Sequence, residues 1–381
     1  YRSDDPLYID EPWSKMAVGR VKIGGSEKWV GFFGGGYSVN PVYTDDNDAA
    51  KGNRSKGFFV VDLSNGNLLW SYTKRDNSAM DYPVPASPKV VDLDNDGFVD
   101  TAYISDLGGN IWRFRFCSIG DPNTCNTDNW AGSQLFSSAG IVRSSFTTPS
   151  VAIDAGSQLW VFWGTGNKLD PRSTTGVDRF FAVKEKDFAT TFTKDDLEKL
   201  TTQAYHGTMA GWYYEFPLSG EKMLFDSTVF GGMAIFATYV PTTGTDPCTQ
   251  GGDAYLYAMA MMPIRIDDVT YNAGAGLMSK PSNTTSTDGG NKSKKIGIGI
   301  PTAPLVSQKP IGTSGATDIF LTVSGGAGVD TVVNSMSDIA NPPPPPDPNT
   351  PCPAGTPPAL CRLRMTPPQA QVIHWRDRRV Q

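Results

Sequence analysis

Histidine is nearly absent, with two in 381 residues, and cysteine is scarce, with five. The first shortage removes most acid–base and nucleophilic schemes. His206 stands in Tyr205-His206-Gly207 with no Ser or Cys nucleophile in a recognisable frame, and His374 lies near the end of the chain. No Cys-x-x-Cys occurs and only those two histidines could assist, so structural zinc is not expected. No apolar run is long enough to cross a bilayer. Positive charge is also short: a net charge of -6 and a pI near 5.1 leave no basic face to displace counterions, which argues against a nucleic-acid partner. The opening Tyr1-Arg2-Ser3-Asp4-Asp5 is polar and has no initiating Met, so no signal peptide is read there. The chain is therefore expected to be a fragment or a processed product.

Glycine (40) and proline (29) are abundant, aromatics reach 11%, and no long stretch repeats apolar residues at helical spacing. All-β is the expected class. A degenerate repeat supports it. Strands ending in glycine recur at Trp29 to Gly36, Ala102 to Gly108, Trp160 to Gly166 and Ile319 to Gly325, and a similar run from Met233 to Val240 ends at Pro241. The first two, Trp160 to Gly166 and the Met233 run are each followed by a partner strand: Phe58 to Leu63, Asn110 to Phe116, Arg179 to Lys184 and Ala254 to Met259. A glycine-punctuated, aromatic-rich sheet repeated along the chain reads as a modified β-propeller of about five to seven blades with inserted loops, in preference to a large sandwich. Residues 187 to 203 carry a capping-type Thr193 and an amphipathic run, from which a short surface helix is expected. The propeller is assigned to residues 1–340. Asn341 to Pro348 opens a Pro-rich linker over 341–358, and residues 359–381 form a C-terminal tail that can close the ring as a strand. A mobile loop is expected from Ser282 to Lys295.

One stretch carries inorganic chemistry. Asp92-Leu93-Asp94-Asn95-Asp96-Gly97-Phe98-Val99-Asp100 crowds four carboxylates around one glycine. Each close pair repels by about 4 kcal/mol at an effective dielectric near 20. A calcium ion removes that cost by accepting about six to eight oxygens at loose geometry. The expected ligands are Asp92, Asp94, Asp96, the carbonyl of Phe98 and Asp100, with Gly97 at the sharp turn. The bidentate Glu of an EF-hand is missing at position twelve, which is Tyr103, and the flanks Lys89-Val90-Val91 and Thr101 to Ile104 are β-rich. The loop is thus expected to join strands. The alternative is an Asp/Gly hairpin without metal.

Cys117 with Cys125, and Cys352 with Cys361, bracket short loops and are candidate local disulfides, which points to an oxidising compartment; Cys248 is left over. Asp45-Asp46-Asn47-Asp48 lacks the glycine and alternation of the first acidic loop and reads as a solvated turn. Gly34-Gly35-Gly36 and Gly164-Thr165-Gly166 precede no helix and no Lys-Ser/Thr pair, so they read as strand ends and not phosphate cradles. Asp62, Gly66 and Trp70 resemble one copy of the tryptophan-docking repeat of quinoprotein propellers, in which the Trp wedges between blades. No Cys-Cys accompanies it, so a quinoprotein-like dehydrogenase is carried only as an alternative.

In order along the chain, Gly34-Gly35-Gly36-Tyr37-Ser38, Asp62-x-x-x-Gly66, Ser87 to Gly97 running into Asp106-Leu107-Gly108-Gly109-Asn110-Ile111-Trp112-Arg113-Phe114, Gly164-Thr165-Gly166, Gly211-Trp212-Tyr213, Asp246-Pro247-Cys248 and His374-Trp375-Arg376 resemble the PilY-type type IV pilus biogenesis factors in their C-terminal β-propeller domain. The resemblance implies a non-enzymatic protein that is extracellular, at the pilus tip or associated with the outer membrane of a Gram-negative bacterium. It implies minor pilins or other pilus components as partners, a host surface in some members, and calcium at Asp92 to Asp100 as a regulator of extension and retraction. A host-binding adhesin is the other alternative. The Pro-rich insert and Cys248 depart from the family pattern.

Overall fold

In the computed structural model the described residues are 8–38, 54–116, 125–154, 156–201, 204–242, 251–266, 269–279, 287–311 and 316–323. Asp45 to Asp48, Cys117, Cys248, Cys352, Cys361, His374, the linker and the tail lie outside them. The described residues fall into two compact units, one drawn from Tyr1–Pro149 with Glu185–Lys194, the other from Ser150–Lys184 with Asp195–Val372.

The first unit holds two four-stranded antiparallel sheets. One runs β1 (Ala17–Ile23), β2 (Ser26–Gly34), β3 (Gly57–Asp62), β4 (Leu68–Thr73); the other β5 (Lys89–Val91), β6 (Thr101–Ser105), β7 (Ile111–Arg115), β8 (Ala131–Phe136). Each strand pairs with its sequence neighbour, so each sheet is a meander of the propeller-blade kind. Alternation sends Val21, Val30, Phe32, Phe58 and Val60 from the first sheet against Ala102, Ile104, Trp112 and Phe114 from the second, all buried. Phe58 stacks on Phe114 with ring centroids 3.9 Å apart. Trp70 meets Phe114, Phe116 and Trp130 edge-on, so it does wedge between sheets.

In the second unit, β9 (Ser150–Ile153), β10 (Leu159–Gly164), β11 (Arg179–Lys184), β12 (Glu198–Leu200) and β13 (Gly211–Glu215) form a sheet ordered β12-β13-β11-β10-β9. β14 (Thr228–Phe230), β15 (Met233–Pro241) and β16 (Gly252–Ala260) lead into a small hairpin, β17 (Ile264–Ile266) with β18 (Val269–Tyr271), and then into β19 (Ser293–Ile298), which completes the sheet β14-β15-β16-β19. β20 (Leu305–Ile311) and β21 (Ala316–Thr322) pair as a two-stranded ribbon. The stack of Phe180 on Phe236, 4.0 Å apart, repeats between these sheets the Phe58–Phe114 arrangement.

The strand pattern read from the sequence therefore holds, and the expected helix does not. Residues 187–201 contain one 3-10 turn, Lys194–Asp196, followed by β12, which pairs in parallel with β13. An isolated helix shorter than about twelve residues is marginal in water. The open edge of β13 offers the same backbone a ladder of hydrogen bonds, with Leu200 buried, and that wins. The glycine run at the end of β2 is also explained. Gly36 has a φ of 96°, and a Cβ there would lie 2.1 Å from the Glu11 carbonyl oxygen, so only glycine lets these chains meet.

The β3–β4 turn makes a first prediction. Asp62 Oδ2 accepts from Lys28 Nζ at 2.7 Å, and its Oδ1 accepts from Ser64 N and Oγ at 2.9 and 2.6 Å. The Lys28 ammonium, then Ser64, holds this carboxyl at about 2, below its ordinary 3.8. A depressed value means that the unfolded chain binds more protons between pH 4 and 2, so the stabilisation is whole above about pH 4 and lost as pH falls to about 2. Asp62→Asn is expected to flatten the acid limb of stability in that window; urea midpoints from pH 2 to 5 that parallel those of the unchanged protein would contradict this.

Candidate metal centre

The acidic loop is the β5–β6 connection. Comparable first hairpins elsewhere are closed by two glycines, Gly24-Gly25 in β1–β2 (φ 56° and 79°) and Gly231-Gly232 in β14–β15 (φ 59° and 80°), as a two-residue turn with both central residues at positive φ requires. The connection from Asp92 to Asp100 is longer than closing a hairpin demands. Its conformation is built from its own side chains. Asp92 Oδ2 accepts from Gly97 N at 2.8 Å, Asp94 Oδ1 from Asp96 N at 3.1 Å, Asp96 Oδ1 from Phe98 N at 2.8 Å and Asp100 Oδ2 from Leu93 N at 2.6 Å. Asn95 (φ 60°) and Gly97 (φ 90°) make the left-handed turns that aim these carboxylates inward.

Of the sequence-predicted ligands, Asp92, Asp94 and Asp100 converge: one carboxylate oxygen from each lies within 4.8 Å of the others. Asp96 is not in that trio. Phe98 presents its ring to two cations, Arg20 (5.0 Å from guanidinium carbon to centroid) and Lys22 (5.4 Å). Burial pushes Asp100 up to about 7, opposed by the Leu93 N–H and helped by the charges of Asp94, Asp92 and Asp96. Asp92 and Asp96 are raised for the same first cause, loss of solvent. The fit to a metal rests on one atom: Asp92 Oδ1 is buried and has no hydrogen-bond partner. A buried lone carboxylate oxygen costs about 1 to 3 kcal/mol or more, because it has left water and gained nothing. Three converging carboxylates with such an orphan are an all-oxygen donor set, suited to a hard divalent cation.

Next to the loop lies a second aspartate site with the opposite solution. Asp106 is fully buried, and its carboxylate accepts from Gly108 N (2.8 Å), Asn110 N (3.0 Å), Asn110 Nδ2 (2.8 and 3.1 Å) and Trp112 Nε1 (2.8 Å). Burial raises it to about 6 against those donors. The same spacing, Asp, then +2, +4 and an indole at +6, recurs at Asp154, Gly156, Gln158 and Trp160, with bonds of 2.8, 3.0 and 2.9 Å. Both are hairpin clamps made by neutral donors, and the five bonds to Asp106 leave that carboxylate no acceptor for a cation.

The family model described as the PilY1 beta-propeller domain matches residues 12–175, a span that holds both the acidic loop and these two clamps. Over that span this chain is similar to the PilY1 propellers. A Xylella fastidiosa protein named type IV pilus biogenesis factor PilY1 homolog is 23% identical over 314 residues, covering 69% of this chain and 19% of that protein. A Pseudomonas aeruginosa type IV pilus biogenesis factor PilY1 is 22% identical over 305 residues, covering 64% of this chain and 25% of that protein. The chain thus spans about a fifth to a quarter of the length of these relatives. The crystal structure of the P. aeruginosa PilY1 C-terminal domain shares the fold, with a TM-score of 0.55 at 18% identity over 87% of this chain and 74% of that one.

Other sequence-predicted residues fall away from the site. Cys125 is disulfide-bonded, consistent with an oxidising compartment. His206 is exposed and its Nδ1 meets Glu198. Sequence reasoning missed Arg20 and Lys22, which alternate along β1 as solvated strand residues do; nothing in their spacing marks them as neighbours of a loop more than seventy residues away.

Proposed function

We propose that this PilY-type propeller binds calcium at the β5–β6 loop and acts as a protein-interaction scaffold in type IV pilus biogenesis. The observation that carries it is the orphaned, buried Asp92 Oδ1 beside Asp94 and Asp100. Asp92, Asp94 and Asp100 would hold the ion, with Asp96 and the Phe98 carbonyl as further oxygens of the same loop. A bound calcium supplies two positive charges that cancel the mutual repulsion of the loop. The loop then keeps one conformation, and the β5–β6 hairpin offers a partner a fixed surface. The role is non-enzymatic: the relatives are named as pilus biogenesis factors. Its partners would be minor pilins or other pilus components, its setting the pilus tip or outer membrane of a Gram-negative bacterium, and its output a shift between extension and retraction. Capture of minor pilins by the immobilised chain, with calcium and again with EGTA, tests this. Calcium-dependent retention supports the scaffold; retention equal in both buffers removes calcium from the function.

A further inference from the structure

Arg20 touches the acidic loop in three ways although it belongs to another sheet. Its Nε donates to the Gly97 carbonyl at 3.2 Å, its guanidinium carbon stands 5.0 Å from the Phe98 ring centroid, and its own backbone carbonyl accepts from Val99 N at 2.8 Å. On its far side it reaches Glu27 Oε2 at 3.5 Å. The side chain is only 15% exposed, so it is held in place. A Cβ on Gly97 would come within 2.4 Å of Arg20 Nη2, which shows how closely the guanidinium lies along the turn. Lys22, two residues on, flanks the same Phe98 ring at 5.4 Å. Together these contacts fix the segment between two predicted oxygen donors, Asp96 and Asp100.

We propose that Arg20 is a positioning residue for the calcium loop, holding Gly97, Phe98 and Val99 so that the carboxylates before and after them converge. This rests on the calcium reading. The opposite effect is also physical: a cation this near a metal site repels the metal, and simple charge reasoning has the loop bind more tightly once Arg20 is gone. The bonding geometry decides for positioning. Partners that orient metal ligands without touching the metal are worth about 10- to 100-fold in affinity. A planar fork that both donates to a carbonyl and stacks on a ring is a task for arginine, which lysine performs poorly.

Calcium titration of the full chain by calorimetry, for the unchanged protein, Arg20→Gln and Arg20→Lys, separates the two. Both variants are expected to bind about tenfold more weakly. Arg20→Lys matters most, because it keeps the charge and loses the fork. Equal or tighter binding by Arg20→Gln overturns the proposal. Amide hydrogen exchange in calcium-free protein gives a second reading. Phe98 and Val99 are expected to exchange faster in both variants while β2 and β3 are unchanged, and unchanged exchange at Val99 also counts against it. If the unchanged protein itself takes up no calcium, the calcium reading fails first and the role of Arg20 with it.

Discussion

Asp92→Asn and Asp100→Asn are each expected to abolish the calcium-induced rise in thermal stability. For the unchanged protein, calcium at a hundred times its dissociation constant adds about 2.7 kcal/mol to the folded state of the unit that holds the loop. Either substitution removes one of the three converging carboxylates, and Asp92→Asn alters the very group whose Oδ1 is buried without a partner. In EGTA the order changes. With calcium gone, three carboxylates face one another with that of Asp100 buried, so Asp100→Asn, which deletes one charge and leaves an oxygen to accept from Leu93 N, is expected to be no less stable than the unchanged protein. Melting curves of the three proteins in calcium and in EGTA check both halves. A calcium shift that survives in Asp92→Asn would place the ion elsewhere.

The second large effect belongs to Asp106. Asp106→Ala strands the Trp112 indole N–H, the Asn110 side-chain NH2 and two backbone N–H groups in a buried region. Each charge-assisted bond is worth about 1.5 to 3 kcal/mol, and removing the carboxylate recovers part of its own desolvation, so the net loss is on the order of 4 kcal/mol. Asp106→Asn should lose roughly half as much, since its oxygen still serves the backbone while its NH2 opposes the indole. Guanidinium unfolding followed by tryptophan fluorescence measures both. A loss below about 1 kcal/mol for the alanine variant would mean that the clamp is dispensable. Calcium affinity of Asp106→Asn should stay unchanged, because none of the converging loop carboxylates bonds to Asp106.

The two aspartate sites were not equally legible. The acidic loop announces itself because its ligands are local: nine consecutive residues contain every acid that converges, and alternation with a glycine is visible without a fold. The Asp106 clamp is also local, and its repeat at Asp154 stands in the sequence as Asp-x-Gly-x-Asn/Gln-x-Trp at identical spacing; what the structure adds is that the +2, +4 and +6 groups all donate to the one carboxylate. The failed helix shows the limit of periodicity. Leu197 and Leu200 sit at helical spacing and both are buried, but as the lead-in and the end of a three-residue strand whose partner, β13, lies outside residues 187 to 203.

By itself the sequence determined the all-β class, the glycine-punctuated strands and the donor types of the loop, because each depends on neighbours within about ten residues. Only the tertiary structure decided which three of the four acids converge, that Asp92 Oδ1 is left bare, and that Arg20 braces the turn from β1. Those facts depend on how the β5–β6 connection folds in three dimensions against another sheet. Charge and burial act through space, and a bond between residues 20 and 97 leaves no periodicity along the chain to be read.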